Sequence, residues 1–375
     1  MKATLTFLFS LVLIFRSSAG TRTWTANGGN DLWSNTNNWS PKGFPGSADD
    51  LVFPGADSNN SMNNLAGLTV RSLTFSVGHN LGGNPIRVAS GIFVDSGASL
   101  GSTNVTISAD LTPTAMQTFQ VSSGALSISG GINLNGQNLT FDVRTGSLLT
   151  ANGVITGTGN LFKIFGGTLE IGGASGNTYS GFFTINRGLV RLNKQSGNAV
   201  CGPLTIGTIL DSATVALLQS YQLRSSNSIT INGNGVLDVD EQVQSLGPLT
   251  FNAGTTAITN IITRNGGTVF LRDVTITGGS AKIFGIVWVP FDSVFDCAQD
   301  SFLEIEGDLG GSGAIIKEGL GDLSLYGTNS FIGPVFINNG SLFAGGARPF
   351  GASSGVLPLE TGSGWRPSSA PEARK

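Results

Sequence analysis

Two stretches of this chain are copies of one another. Residues 157–189 read GTGNLFKIFGGTLEIGGASGNTYSGFFTINRGL, and residues 311–342 read GSGAIIKEGLGDLSLYGTNSFIGPVFINNGSL. Lys163 matches Lys317, Gly167 matches Gly321, and Leu169 and Ile171 match Leu323 and Leu325. Asn177, Tyr179, Gly181, Ile185 and Gly188 match Asn329, Phe331, Gly333, Ile337 and Gly340. The first copy carries two extra residues in its middle turn. Inside each copy, short runs alternate apolar and polar residues and end at glycines, where the chain can take positive φ. A repeated unit of short strands cannot bury its apolar face alone, so it must stack.

The same pattern fills most of the chain in looser form. LTVRSLTFSV, IRVASGIFVDSGASL, VTISADL and FQVSSGALSISGGINLNGQNLTFDV precede the first copy. LTIGTIL, ATVALLQ, SITING, GVLDVD and GPLTFNAG follow it. Val, Ile, Leu, Phe and Thr alternate with small polar residues, as in strands with one face in a core. The run AKIFGIVWVPF, Ala281 to Phe291, is the most apolar of the mature chain and reads as a buried strand that Pro290 ends. The 55 glycines are about twice the usual share, and charged residues are 11% against about a quarter. Surface helices need those charges, so almost no helix is expected. Coils of about 20–25 residues would make some 12 to 15 turns, in a rod roughly 60–70 Å long.

The motif G-x-L-x-K-x-G-x-G-T-L-x-L…N-T-Y-S-G-x-T-x-I-N-x-G-x-L resembles the autotransporter-associated β-strand repeat of bacterial surface and secreted proteins. Ser225 to Phe251 is similar to the spacer between such repeats. The opening W-x-x-x-G-G…W-S…N-W…P-G…D-D-x-x-F, with Trp24, Trp33 and Trp39, resembles the module that often precedes them. The resemblance implies an all-β, single-stranded, right-handed parallel β-helix. It implies no chemistry, because the repeat is a structural unit. The tryptophans are expected to cap the open core of the first coil. The competing reading is an exposed aromatic platform for sugars.

Residues 1–19 read as a signal peptide: Lys2, an apolar run from Leu5 to Phe15 too short to span a membrane, then Ser17-Ser18-Ala19 before the cut, with Gly20 the neighbouring option. The cap is expected over 20–62 and the β-helix over 63–345. A last coil and a disordered tail are expected over 346–375. No translocator barrel and no terminal apolar anchor are found, so a freestanding secreted β-helix or a shortened passenger is expected, with no membrane insertion by this chain alone.

Chemistry is sparse. Net charge is −3 and the basic residues are scattered, against a nucleic-acid groove. Cys201 and Cys297 sit in no zinc spacing; they could pair only if the fold brought their Cα atoms within about 7 Å, and two buried thiols is the plainer expectation. His79, the one histidine, lies beside a glycine turn and reads as a surface residue. G-x-S-x-G occurs at Gly97–Gly101 and Gly351–Gly355, but a hydrolase elbow also needs a histidine after the serine. Asp49 and Asp50 read as a solvated turn rather than a cation site. Asn177 and Asn329 read as turn residues, with an internal Asn ladder as the weaker alternative. Asp238, Asp240 and Glu241 are the best acid cluster, with Asp238 and Asp240 outward if Val239 points in. Such a pair could act as acid and base or hold Ca²⁺, but no second cluster or basic partner stands near it. The expectation is a secreted or cell-surface, adhesin-like structural protein with no catalytic, cofactor or metal site. Cell-surface or matrix glycans are the expected partners, and the oligomeric state is open. Polysaccharide binding or cleavage is the alternative.

Overall fold

The structure, a computed structural model, describes residues 19–55, 58–95, 104–252, 259–345, 348, 350–351, 356–358 and 364–367. The expected signal peptide, apart from Ala19, lies outside the described residues, as does most of the chain beyond 345. The described chain is all β, with one short 3-10 turn at Thr36–Asn38 and no α-helix. Its strands form a branched 20-stranded sheet, a 15-stranded sheet and a 4-stranded sheet, stacked as a solenoid of about 13 turns. Among the described residues every strand pairing is parallel except that of Thr21–Trp24 with Trp39–Ser40.

One coil shows the scheme. Gln117–Val121 lies on the first sheet, Ala125–Ile128 on the second, and Ile132–Asn133 on a short third face; Leu139–Val143 then starts the next coil directly over Gln117–Val121. Apolar residues stack in register through the interior. On the second sheet Leu126, Leu149, Leu169, Val190, Val215 and Leu237 form one column. All six are fully buried. Each such side chain contributes about 1.5–3 kcal/mol by leaving water. Successive partners are about 20–25 residues apart, because loop length varies from coil to coil while strand register does not.

The third face is where regular pairing breaks, and amide side chains take over there. Asn177 accepts from Ile155 N at 2.9 Å and donates to Ala199 O at 2.8 Å, joining the coils on either side. Gln222 pairs with both the N–H and the C=O of Lys194, and Gln244 with both groups of Leu223. Asn329 accepts from Leu309 N at 3.0 Å. All four are buried. Asn177 and Asn329 are therefore inter-coil bridges with ordinary negative φ, not left-handed turn residues. An unpaired buried backbone group costs about 1–3 kcal/mol, and the amides remove that cost.

The two lysines of the repeat stand in the core. Lys163 stacks between Phe141 and Ile185, and Lys317 between Phe295 and Ile337. Each ammonium donates to three turn carbonyls. Lys163 Nζ reaches Ile164 O at 3.0 Å, Phe165 O at 2.7 Å and Arg187 O at 3.2 Å. Lys317 Nζ reaches Glu318 O, Gly319 O at 2.7 Å and Asn339 O at 3.2 Å. Two carbonyls belong to the lysine's own turn and one to the next coil. Burial lowers the Lys163 ammonium to about 8, with Asp142 pulling it back up, and burial lowers Lys317 too. The repeated glycines are equally specific. A Cβ at Gly181 would lie 2.0 Å from Gly159 O, and one at Gly333 2.0 Å from Gly313 O. The repeat is thus one corner geometry used twice.

AKIFGIVWVPF is not a single buried strand. Ser280–Phe284 belongs to the second sheet and Ile286–Trp288 to the third, with Gly285 at φ +106° turning the corner between them. Ala281, Ile283, Val287 and Val289 point in, whereas Phe284 and Trp288 are exposed. Pro290 follows the second strand, as expected.

Replacing Lys163 by Met keeps the apolar stem and strands three carbonyls. The expected cost is about 2–4 kcal/mol. Amide hydrogen exchange should quicken within roughly residues 139–194 and stay unchanged around Lys317, because solenoid coils contact only their neighbours. Gly181→Ala should cost about 1–3 kcal/mol by overpacking, while Gly278→Ala, with open space around its Cβ, should change unfolding little.

Candidate functional site

Alternation that sends every second side chain inward leaves the others in outward columns. On the first sheet Thr184, Thr205, Thr230, Thr250 and Thr275 stack in register over five consecutive coils. Their hydroxyls repeat at about 4.8 Å, the strand spacing. Below this column the same position is Phe162, edge-on to Phe182 at 5.5 Å; above it come Asp296 and Glu318. The face is flat, regular and weakly polar.

Asp238 and Asp240 point outward on the second sheet, with Leu237 and Val239 buried between them, as the parity argument expects. A basic partner is present after all. Arg264, one coil later, donates to both oxygens of Asp238 at 2.9 and 2.8 Å and to Asp240 Oδ1 at 3.2 Å. The strand register slips between Asp238 and Asp240, and Asp240 takes φ +47°. Both carboxylates are thereby occupied by one guanidinium. Glu241 is exposed beside them.

A second acid pair, missed in the sequence, lies further along the same sheet. Glu304 and Glu306 share the outward face of Phe302–Glu306, with Leu303 and Ile305 buried. Lys282, directly across from Glu304 on the preceding coil, places Nζ 3.1 Å from Glu304 Oε2 and 3.0 Å from Glu306 Oε1. Burial raises the Glu304 carboxyl above its ordinary value, Lys282 opposes the rise and neighbouring Glu306 adds to it. Burial alone would lower Lys282, but its hydrogen bonds to Glu306 and Glu304 carry it upward. The two partners move the same way because the lysine faces two carboxylates and Glu304 has a like-charged neighbour. Phe284, Glu304, Glu306, Gly307 and Tyr326 line an open depression of about 520 Å³ here. A smaller hollow of about 160 Å³ lies over the third sheet, between Phe270, Arg272 and Phe291. The alternation LEIE was the available signal for the pair. Finding Lys282 required writing the chain coil under coil.

The remaining candidates are structural. Trp24, Trp33 and Trp39 are buried and packed edge-to-face, with centroids 5.0 Å apart for Trp24–Trp39 and 5.6 Å for Trp33–Trp39. They close on Phe53, which stacks on Phe75, so they fill the end of the core and offer no aromatic platform. Asp49 is not in a solvated turn: it is buried and accepts from Gly20 N, Arg22 Nε and Gly46 N. Asp50 pairs with Arg71 and Ser72. Cys201 and Cys297 are buried free thiols, and burial raises both, Cys297 to about 11. Cys201 donates to Asn177 O. Gly97–Gly101 and residues 352–355 lie outside the described residues. Among the described residues no group of three or more His, Cys, Asp or Glu is placed to hold a metal, and no helix is long and apolar enough to cross a membrane.

No family model and no solved structure matches the chain. Among curated proteins it is similar to the adhesin BmaC autotransporter of Brucella suis biovar 1 (strain 1330), 27% identical over 302 residues. The match takes in 62% of this chain and 8% of that protein, so the chain spans less than a tenth of the relative's length. The chain itself is a parallel β-solenoid.

His79 is not a surface residue. It is buried in the core beside the cap, 4.6 Å from the Phe53 ring centroid, with Nε2 2.8 Å from Ser61 Oγ. Burial lowers it to about 4, with Asp31 pulling the other way. Folded, it stays neutral at pH values where the unfolded chain takes up a proton. Its stabilising share is therefore full above about pH 6.5 and is lost as pH falls toward 4, on the order of 3 kcal/mol. The unfolding free energies of the parent and His79→Gln should converge between pH 7 and pH 4.5. An imidazole titrating near 6.5 by NMR contradicts this.

Proposed function

We propose that this chain is a segment of a secreted or surface-displayed adhesin-like passenger, and that it works by presenting its lateral faces rather than by catalysis. The observation that carries this reading is the threonine column. Thr184, Thr205, Thr230, Thr250 and Thr275 repeat one weak hydrogen-bonding group over consecutive coils of a flat parallel sheet. Repeated weak contacts on a rigid rod add up through effective concentration. The core holds that spacing, because each coil can move only with its neighbours. The similarity to a protein named as an adhesin supports the same reading, as does a corner chemistry that needs no ligand. Export by the 1–19 leader belongs to this proposal, and so does location at the cell surface or in the medium.

Beads coated with the full purified chain should be retained on cell or matrix layers. Thr205→Lys with Thr250→Lys should cut that retention roughly fivefold, leaving the β spectrum intact. The same preparation should release no reducing ends from plant or bacterial polysaccharides. Retention no better than that of uncoated beads removes the adhesin reading, and polysaccharide turnover replaces it with an enzyme.

A further inference from the structure

The depression on the C-terminal half of the second sheet differs in kind from the threonine face. We propose that it is a binding subsite for one uncharged pyranose unit of a glycan, walled by Phe284 and Tyr326 and floored by Glu306, with Glu304 and Lys282 at its side. The proposal deepens the adhesin reading by naming a ligand class, and rests on that reading only for its biological purpose.

Register supplies the first argument. Glu306 stands directly over Phe284, and Tyr326 directly over Glu306, in one outward column. The two aromatic residues are therefore two strand spacings apart, about 10 Å, with a carboxylate between them. Such a gap suits one sugar ring, its C–H faces toward the aromatic walls and its hydroxyls toward the carboxylate. Phe284 is 45% exposed, in an outward column that runs Ala216, Asp238, Ile262, Phe284, Glu306. The core gains nothing from an aromatic residue placed there.

The floor supplies the second. Gly307 lines the depression at φ +156°, and a Cβ there would lie 2.0 Å from Gly285 O. Coil-on-coil contact thus forbids a side chain at that point, so bare backbone lines the hollow there. The third argument is charge. Lys282 bridges both carboxylates, which fixes their orientation and leaves the group one negative charge in excess. Carboxylate oxygens not used by Lys282 accept from hydroxyls. An acidic sugar would meet like charge. The Asp238–Asp240 pair offers a contrast, because Arg264 occupies both carboxylates there.

The test is calorimetric titration of the full chain with neutral gluco-, galacto- and manno-oligosaccharides, with an oligogalacturonate as the acidic probe and a chitosan oligomer as the cationic one. At least one neutral oligosaccharide should bind with Kd on the order of 0.1–1 mM. Glu306→Gln should weaken that binding roughly tenfold, and Phe284→Ser with Tyr326→Ser should abolish it. Thr150→Ser, on the second sheet several coils before the depression, should leave it unchanged. Because these side chains face outward, unfolding curves should match the parent. Saturation-transfer NMR on the unmodified chain should show sugar C–H protons against an aromatic ring. Silence toward every neutral probe, tightest binding by the acidic or cationic probe, or binding indifferent to the double serine variant each overturns the site. A chain that adheres to cells yet binds no sugar loses this site alone. A chain that binds sugar here yet does not adhere keeps the site and loses the adhesin reading.

Discussion

Everything in this molecule depends on one coil's backbone being satisfied by the next. A parallel solenoid has no hairpins, so the N–H and C=O groups of each strand point at the coils on either side and nowhere else. Where the first two faces run straight, the ladder closes by itself. On the third face and at the corners it cannot, and there the chain spends its polar side chains: Asn177, Gln222, Gln244 and Asn329 on the third face, Lys163 and Lys317 under the turns. The lysine corners are the costliest, since an ammonium leaves water for the core. Three carbonyl partners offset that desolvation, and one of them always lies on the following coil. The ammonium therefore couples two coils rather than one turn. This is why lysine, asparagine and glycine, and not only the apolar residues, repeat between 157–189 and 311–342.

Much of the fold was legible. Period-two alternation identifies which residues share a face, and it put Asp238 and Asp240 outside if Val239 points in, as it does. The internal repeat pointed to stacking, and the tryptophan-rich opening to an end piece. What alternation cannot give is the partner on the next coil. That partner lies about 20–25 residues away, and the interval changes with each loop. Arg264 beside Asp238 and Lys282 beside Glu304 were hidden for that reason. His79 was misread differently: a turn glycine precedes it, but its own strand position is an inward one, against Phe53 and Phe75. The Ala281–Phe291 run hid a corner, since apolar residues filled outward positions too and erased the alternation.

That last failure is informative about function. In a solenoid the inward columns carry the fold, so the outward columns are free to vary without cost to packing. An outward residue that breaks with its column therefore asks for an explanation outside the core. A single threonine needs little, because it is at home on a half-exposed strand; five in register over consecutive coils ask for more. Phe284 and Tyr326 around a shared glutamate do need one, and so does a lysine held between two carboxylates.

The two acid pairs sharpen the point, since they share a sheet and a spacing along the strand but differ in acid length, in the register slip at Asp240 and in their neighbours. Arg264 reaches both Asp238 and Asp240 with its planar fork, holding both oxygens of Asp238 and Oδ1 of Asp240, and ties one coil to the next. Lys282 is a point charge with three donors, and it holds Glu304 and Glu306 by one oxygen each. The exposed Phe284 and the half-buried Tyr326 flank Glu306 of the lysine-held pair, and Ile262 stands between Asp238 of the arginine-held pair and Phe284. A single scaffold rule, alternate residues out, thus yields a strut in one place and a concave, half-satisfied polar surface in another. The cation chosen on the neighbouring coil decides which of the two is built.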